Sequence, residues 1–148
     1  MSSKKLEKLS HYSIILIALL ALVVSVWQVR IAHRHNKLTV MPYLDSSLEQ
    51  GDSTLTVSFS NQGFGPAIIK DISFQYQGKT YESLEDYLNA SGEVKNRRGS
   101  FNYGENTIVA SGAKKLLVHL LNREVRGVEV QIIYESIYQE KRKLGFKF

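Results

Sequence analysis

Length, composition and charge exclude several classes of protein. The chain has 148 residues and no cysteine, so it has room for one ordinary domain and a short appendage, without disulfides, a thiolate nucleophile or a thiolate metal site. The net charge is +5, but residues 1–37 hold six Lys or Arg and one Glu, while residues 38–148 hold 13 residues of each sign. Because the larger part is neutral, nucleic-acid binding is not supported.

The first predicted element is a membrane-spanning helix. Residues 9–29 are 21 residues without Lys, Arg, Asp or Glu. At about 1.5 Å per residue they reach about 30 Å, the thickness of the hydrocarbon core of a bilayer. We therefore predict a basic N-terminal tail over residues 1–11 and a transmembrane helix with a polar collar over residues 12–35, with the lipid bilayer as a partner.

Four residues flanking this helix are the predicted membrane anchors. Tyr12 and Trp27 lie near its ends, where interfacial aromatics are favoured, and Arg30 and Arg34 follow it. Three Lys or Arg lie on each side, so the positive-inside rule gives a tie. Since a short tail with three lysines is awkward to export, we predict a single-pass protein of the bacterial inner membrane, with the C-terminal part in the periplasm.

The alternative is a signal peptide cleaved near Ser25, but no Gly or Pro breaks the helix before that site.

After the helix, the alternation of apolar and polar residues predicts strands. The first is expected over residues 38–44, and the clearest alternates Leu55, Val57 and Phe59 with polar residues. A further strand follows Pro66, with a bulge at residues 70–71.

The stretch from Asn61 to Pro66 reads NQGFGP and raises the possibility of a phosphate-binding loop. Such a loop needs a third glycine or a Gly-Lys-Ser/Thr motif before a helix, and both are missing. Because Asn and Gly tolerate positive φ and Pro fixes φ, we predict a structural turn at Asn61, Gly63, Gly65 and Pro66. We expect either glycine to be required for stability if it holds positive φ.

The second half of the sequence predicts one short helix among further strands. Ser83 is the expected N-cap of a helix over residues 83–90, with Leu84, Tyr87 and Leu88 on one face. Residues 89–104 predict the longest loop, and strands are expected over residues 106–110, 113–121, 128–135 and 143–148. Short strands at this spacing favour an all-β antiparallel sandwich over residues 38–148.

Residues 55–76, 110–120 and 128–148 resemble strands of immunoglobulin-like domains of the bacterial cell-adhesion type. The chain as a whole resembles small bacterial single-pass membrane proteins that carry such a domain after one N-terminal helix, with an "HN-[KR]-L-[ST]-V-x-P" start, here residues 35–42, and a "GxGPAxI" turn. The resemblance implies an immunoglobulin-like sandwich and an anchor, and no activity.

The candidate sites favour binding rather than catalysis. His33 and His35 are two residues apart and lack a carboxylate pair, and His119 has no evident catalytic partner. We therefore expect no enzyme activity, no metal site and no cofactor. The predicted partner-binding loop contains three cations and two aromatics: Lys95, Arg97, Arg98, Phe101 and Tyr103. A second candidate is an outward patch of Leu117, Leu121 and Ile133, which the short helix would cover.

The sequence thus predicts a membrane-anchored immunoglobulin-like module that binds another protein or assembles with it. The alternative is a membrane effector subunit of an antiphage or toxin system, in which the sandwich senses a signal and the helix oligomerises. Ala18, Ala21 and Ser25 are small residues at helical spacing, which would allow homo-oligomers through the transmembrane helix.

Overall fold

The computed structural model describes residues 3–121 and 127–148 and contains two compact units, Met1–Leu38 and Thr39–Phe148. The first unit is helix α1, Ser3–Thr39, which is long and apolar enough to cross a membrane. It includes most of the predicted basic tail, whose residues 1 and 2 lie outside the described part, and the whole polar collar.

The first predicted strand is wrong. Leu38 and Thr39 are the last residues of α1, and residues 40–43 form a turn and an extended segment before the first strand begins at Leu44. Pro42 explains the helix end, because proline lacks an amide donor and disfavours helical geometry at the residue before it. The apolar alternation of this segment belongs to a connection and not to a strand.

The described residues of the second unit, called the β domain below, form nine strands, one α-helix and one 3-10 turn. The strands are β1 (Leu44–Gln50), β2 (Leu55–Asn61), β3 (Ala67–Tyr76), β4 (Lys79–Tyr81), β5 (Arg97–Ser100), β6 (Ile108–Val109), β7 (Lys114–Leu120), β8 (Glu129–Glu135) and β9 (Lys141–Lys147). Helix α2 (Leu84–Ser91) and the 3-10 turn (Glu93–Asn96) lie between β4 and β5.

The strands form two antiparallel sheets. Sheet A has the order β1-β2-β7-β5, and sheet B has the order β4-β3-β8-β9, with β6 also paired to β3. The predicted bulge in β3 is confirmed by a register shift between Ile69 and Asp71. The prediction of an antiparallel β domain with one long N-terminal helix and one short inserted helix is therefore confirmed.

Both sheets contribute to one hydrophobic core. Leu55, Val57 and Phe59 of β2 are buried, as their alternation predicts, and they belong to the same cluster as Phe74 of β3 and Ile132 of β8. Each large apolar side chain buried in this way contributes about 1.5–3 kcal/mol. The core therefore holds the two sheets against each other.

Helix α2 packs against sheet B and adds three side chains to the core. The Ser83 hydroxyl accepts a hydrogen bond from the Asp86 amide at 3.0 Å, which confirms the predicted N-cap. Leu84, Tyr87 and Leu88 are all buried, and the Tyr87 ring stacks on Phe74 with the ring centroids 5.9 Å apart. The helix thus connects the edge strand β4 of sheet B to the edge strand β5 of sheet A.

The β domain has two distinct ends. The linker end is where residues 40–43 meet the domain; it also contains the β2–β3 turn, the β6–β7 turn and the β8–β9 turn, since Leu44 pairs with Asn61 and Ile68 with Glu135. The opposite end, called the far end, contains the β1–β2 turn, the C-terminal end of α2 and the start of β5.

Candidate functional site

The predicted membrane anchors all lie on α1. Tyr12 and Trp27 are exposed on this helix, and 15 residues at about 1.5 Å each separate them by about 22 Å. Arg30 and Arg34 are four residues apart, so they project from the same side of the helix. This arrangement gives α1 an apolar middle with an aromatic ring near each end and cations beyond the second.

Asn61 is the best-satisfied polar side chain of the predicted turn. Its carboxamide is fully buried. The Oδ1 atom accepts hydrogen bonds from the amides of Tyr43 at 3.1 Å and Gly63 at 3.0 Å, and Nδ2 donates to the carbonyls of Gly65 at 2.8 Å and Val109 at 3.0 Å. One side chain therefore joins the segment entering the domain, the β2–β3 turn and strand β6.

Gly63 and Gly65 are required for a different reason from the predicted one. Neither is among the residues with positive φ, so the expected reason is wrong. Instead, a Cβ atom on Gly63 would lie 2.4 Å from the Met41 carbonyl oxygen, and one on Gly65 would overlap the carbonyl oxygen of Val40. The glycines let two backbone segments approach each other closely, and Pro66 then leads into β3.

The predicted partner loop is partly regular structure. Lys95 lies in the 3-10 turn, and Arg97 and Arg98 lie on β5, which pairs with β7 from Arg97 to Ser100. The prediction of one long loop over residues 89–104 is therefore wrong. The sequence does not reveal β5 because the side chains of this edge strand are largely exposed and show no apolar alternation. Arginines on an edge strand discourage pairing with other chains.

The two aromatics of this segment have different surroundings. Phe101 is 54% exposed. Tyr103 packs edge-on against Phe59 with ring centroids 5.5 Å apart, and its hydroxyl donates to the Leu116 carbonyl at 2.6 Å; burial raises its pKa. Tyr103 is thus part of the core packing, and Phe101 is the aromatic available to a partner.

An open cleft of about 590 Å³ lies beside this segment and was not predicted. Its lining includes the carboxylates of Asp71, Glu82 and Glu105 together with Asn102, Tyr103, Gly104, Ile72 and Lys70. The Lys70 ammonium is 2.8 Å from a carboxylate oxygen of Glu135 and donates to the Asn106 side chain. The β3 bulge at Asp71 is the only sequence signal that pointed to this place.

The two remaining candidates, His119 and the apolar patch, do not form binding sites within the described part of the chain. The Nδ1 atom of His119 is 2.8 Å from the Thr56 hydroxyl on the neighbouring strand. The predicted outward patch is not assembled, because β7 and β8 belong to different sheets. Leu117 is also buried, whereas Leu121 is exposed.

Tyr87 carries the one buried side-chain polar atom that has no hydrogen-bond partner among the described residues. Burial raises the pKa of Tyr87 to about 12, and the nearby Ser91 hydroxyl offsets this only in part. The Ser91 hydroxyl donates its own hydrogen bond to the Leu88 carbonyl. Burial therefore keeps the phenol of Tyr87 neutral to a higher pH than that of an exposed tyrosine.

The chain matches no protein-family model and no curated protein.

Proposed function

We propose that this chain is a non-catalytic, single-pass membrane protein of bacteria whose β domain is an immunoglobulin-like sandwich that binds another protein. Two antiparallel sheets around one core support the sandwich. The resemblance of residues 55–76 and 128–148 to strands of such domains supports the finer assignment. The length and composition of α1 support the anchor.

The observation that carries the binding function is the surface formed by β5 and the residues after it. β5 is only four residues long and lies at the edge of sheet A, so a partner would meet its exposed side chains rather than extend the sheet. Arg97 and Arg98 are exposed on it, and the exposed ring of Phe101 follows directly. A guanidinium pairs with carboxylates in bidentate fashion, and an aromatic ring adds apolar contact area.

The cleft gives this surface an acidic region in addition to its two arginines. Asn102, the residue directly after Phe101, lines the cleft together with the three acidic residues Asp71, Glu82 and Glu105. The partner would therefore present carboxylates to the arginines, an apolar group to Phe101 and a basic side chain to the cleft. Because residues 38–148 have no net charge, recognition depends on this local pattern rather than on long-range steering.

A site-specific cross-link tests this function. A photoreactive amino acid at position 101 of the full chain should give one discrete cross-linked product in the native cells, and mass spectrometry identifies the protein. The same group at Gln75, exposed on β3, is the matched control. Binding of the purified partner should weaken on joint Arg97→Ala and Arg98→Ala substitution; equal products at positions 75 and 101 would contradict the proposal.

We place the β domain in the periplasm in this proposal, with α1 in the inner membrane. The three lysines near the N-terminus support a cytoplasmic start. Fusion of alkaline phosphatase to the C-terminus should give phosphatase activity, and fusion of a fluorescent protein that folds only in the cytoplasm should stay dark. The reverse pattern would place the β domain in the cytoplasm.

A further inference from the structure

The apolar side chains that the β domain leaves more than half exposed gather mainly at its linker end, whereas Leu48, Val94 and Leu121, elsewhere on the domain, are exposed to a smaller extent. Among the described residues of this domain, five large hydrophobic side chains are more than half exposed. Four of them are Tyr43 at 58%, Phe64 at 85%, Ile108 at 62% and Ile137 at 51%, and all four belong to the linker end. Phe101 is the exception, and it belongs to the surface proposed above for a protein partner.

These four side chains come from separate segments that the fold brings to one end. The Gln62 amide donates to the Tyr43 carbonyl at 2.7 Å, which places Tyr43 beside the turn that carries Phe64. Ile68 pairs with Ile108 on one side and with Glu135 on the other, and Ile137 follows two residues later. The core does not use these side chains, although the turn that carries Phe64 is itself tightly held.

Cations accompany the apolar side chains. Lys141, Arg142 and Lys143 are consecutive and exposed at the start of β9, next to the turn that carries Ile137. The Arg142 guanidinium contacts the sulfur of Met41, so it lies against the chain that enters the domain. Exposed apolar tips with neighbouring cations are the combination that binds the interface of an anionic bilayer.

The chain reaches the β domain from α1 at this same end. Thr39 is the last residue of α1, and the next residue, Val40, is already packed against Gly65. At most about 18 Å of extended chain separates Thr39 from Leu44. If α1 spans a bilayer, the linker end is therefore the part of the β domain that the chain reaches first after leaving the membrane.

We infer that the linker end of the β domain is a lipid-binding surface, in which Phe64 and Ile137 enter the headgroup region of an anionic bilayer and Lys141, Arg142 and Lys143 bind its phosphates. The inference rests on the proposed membrane span of α1. It is independent of the protein partner proposed for Phe101, because that surface lies on a different part of the domain.

The test uses the purified full chain in phosphatidylcholine vesicles with and without phosphatidylglycerol. The chain has no cysteine, so single Gln62→Cys and Ser53→Cys variants can each carry one fluorophore. Both positions are exposed, the first at the linker end and the second at the far end. Lipids with a nitroxide at the headgroup should quench the fluorophore at position 62 several-fold more than the one at position 53, and phosphatidylglycerol should increase the difference.

Substitutions identify the side chains responsible. Joint Phe64→Glu and Ile137→Glu substitution in the Gln62→Cys chain should lower the quenching to the level of position 53, and Phe101→Glu should leave it unchanged. Joint Lys141→Gln, Arg142→Gln and Lys143→Gln substitution should remove only the increase caused by phosphatidylglycerol. Because Phe64 and Ile137 are exposed, circular dichroism should show unchanged folding.

Three outcomes would overturn the inference. These are equal quenching at positions 62 and 53, quenching that survives the joint Phe64→Glu and Ile137→Glu substitution, and a fluorophore at position 62 that is shielded from aqueous iodide but not quenched by nitroxide lipid. The last outcome would assign the surface to a second copy of the chain. Failure of the membrane span itself is distinct, because the chain would then be extracted from the vesicles by alkaline carbonate.

Discussion

The two ends of the β domain differ in how completely their buried polar groups are satisfied. At the linker end, the buried Asn61 carboxamide makes four hydrogen bonds to backbone groups. Towards the far end, where α2 packs on the end of β3, the buried hydroxyl of Tyr87 has no partner among the described residues. A fully satisfied network specifies one geometry, whereas an unsatisfied group costs stability.

The comparison indicates that the linker end sets the geometry of the domain. Close backbone contacts at Gly63 and Gly65 fix the segment that comes from α1. The far end instead presents exposed cations on a short edge strand, and surface substitutions usually change stability little. Stability should therefore respond strongly to substitutions at the first end and weakly to surface substitutions at the second.

The largest effect is expected for Gly65→Ala. The added methyl group would overlap the carbonyl of Val40, so the entering segment would have to move away and lose its contacts. We expect a loss of about 3 kcal/mol in the free energy of unfolding, measured by denaturant titration. Gly104→Ala is the control, because a methyl group there meets open space and should change stability by less than about 0.5 kcal/mol. Equal effects of the two substitutions would show that the close approach is absent.

Asn61→Ala should cause the second largest loss of stability. It would leave the amides of Tyr43 and Gly63 and the carbonyls of Gly65 and Val109 without this partner. Since each buried group left unpaired costs about 1–3 kcal/mol and water can reach some of them, we expect a loss of about 2–3 kcal/mol. Gln62→Ala removes an exposed amide in the same turn and is the control, because it should leave the free energy of unfolding nearly unchanged. If Asn61→Ala also left it unchanged, the two ends would not differ in how their polar groups contribute to stability.

Tyr87→Phe should raise the free energy of unfolding rather than lower it. It removes the unpaired hydroxyl and keeps the ring that stacks on Phe74, so we expect a gain of about 1 kcal/mol at neutral pH. Tyr76→Phe, which alters a partly exposed hydroxyl bonded to Gln77, is the comparison. A loss of stability on Tyr87→Phe would mean that the hydroxyl is satisfied.

The same substitution tests the pKa of Tyr87 through the pH dependence of unfolding. The folded-state value of about 12 lies above the ordinary value of about 10, so the unfolded chain releases this proton first. The wild type should therefore lose on the order of 2 kcal/mol relative to Tyr87→Phe as the pH rises from about 10 to about 12, with no difference in trend below pH 9. Parallel curves across the alkaline range would contradict the raised pKa.

The smallest effect on stability is expected for the joint Arg97→Ala and Arg98→Ala substitution. Both side chains are exposed on an edge strand, so the free energy of unfolding should change by less than about 0.5 kcal/mol. The melting temperature should therefore stay close to that of the wild type. A large loss of stability would show that these arginines support the fold, and their proposed role in binding would then need another explanation.

The sequence predicted the elements whose side chains face one core. The alternation of Leu55, Val57 and Phe59 gave β2, and Ser83 with the apolar face of Tyr87 and Leu88 gave α2. In these elements, burial imposes a period on the sequence that can be read without the structure. The interrupted alternation after Ile69 even located the bulge.

The sequence could not predict features that depend on contacts between distant segments. The sequence predicts a loop where β5 lies, because an exposed edge strand has no buried face to impose a period. It predicts a strand over residues 38–44, where the backbone of Tyr43 is instead held by the side chain of Asn61 and the amide of Gln62. The importance of Gly65 was predicted, but its cause, the carbonyl of Val40 lying against it, requires the tertiary structure. The cleft lined by Asp71 and Glu105 is invisible for the same reason.

The four hydrogen bonds of Asn61 also have a mechanical consequence. A pull along the chain from α1 would reach the β domain at residues 40–43. Because Asn61 belongs to β2 of sheet A and binds Val109 of β6 in sheet B, the load would be divided between both sheets from the start. Strand β1 would then be less exposed to peeling from the sheet edge one hydrogen bond at a time. The domain is thus built to transmit tension from its anchor into its whole core.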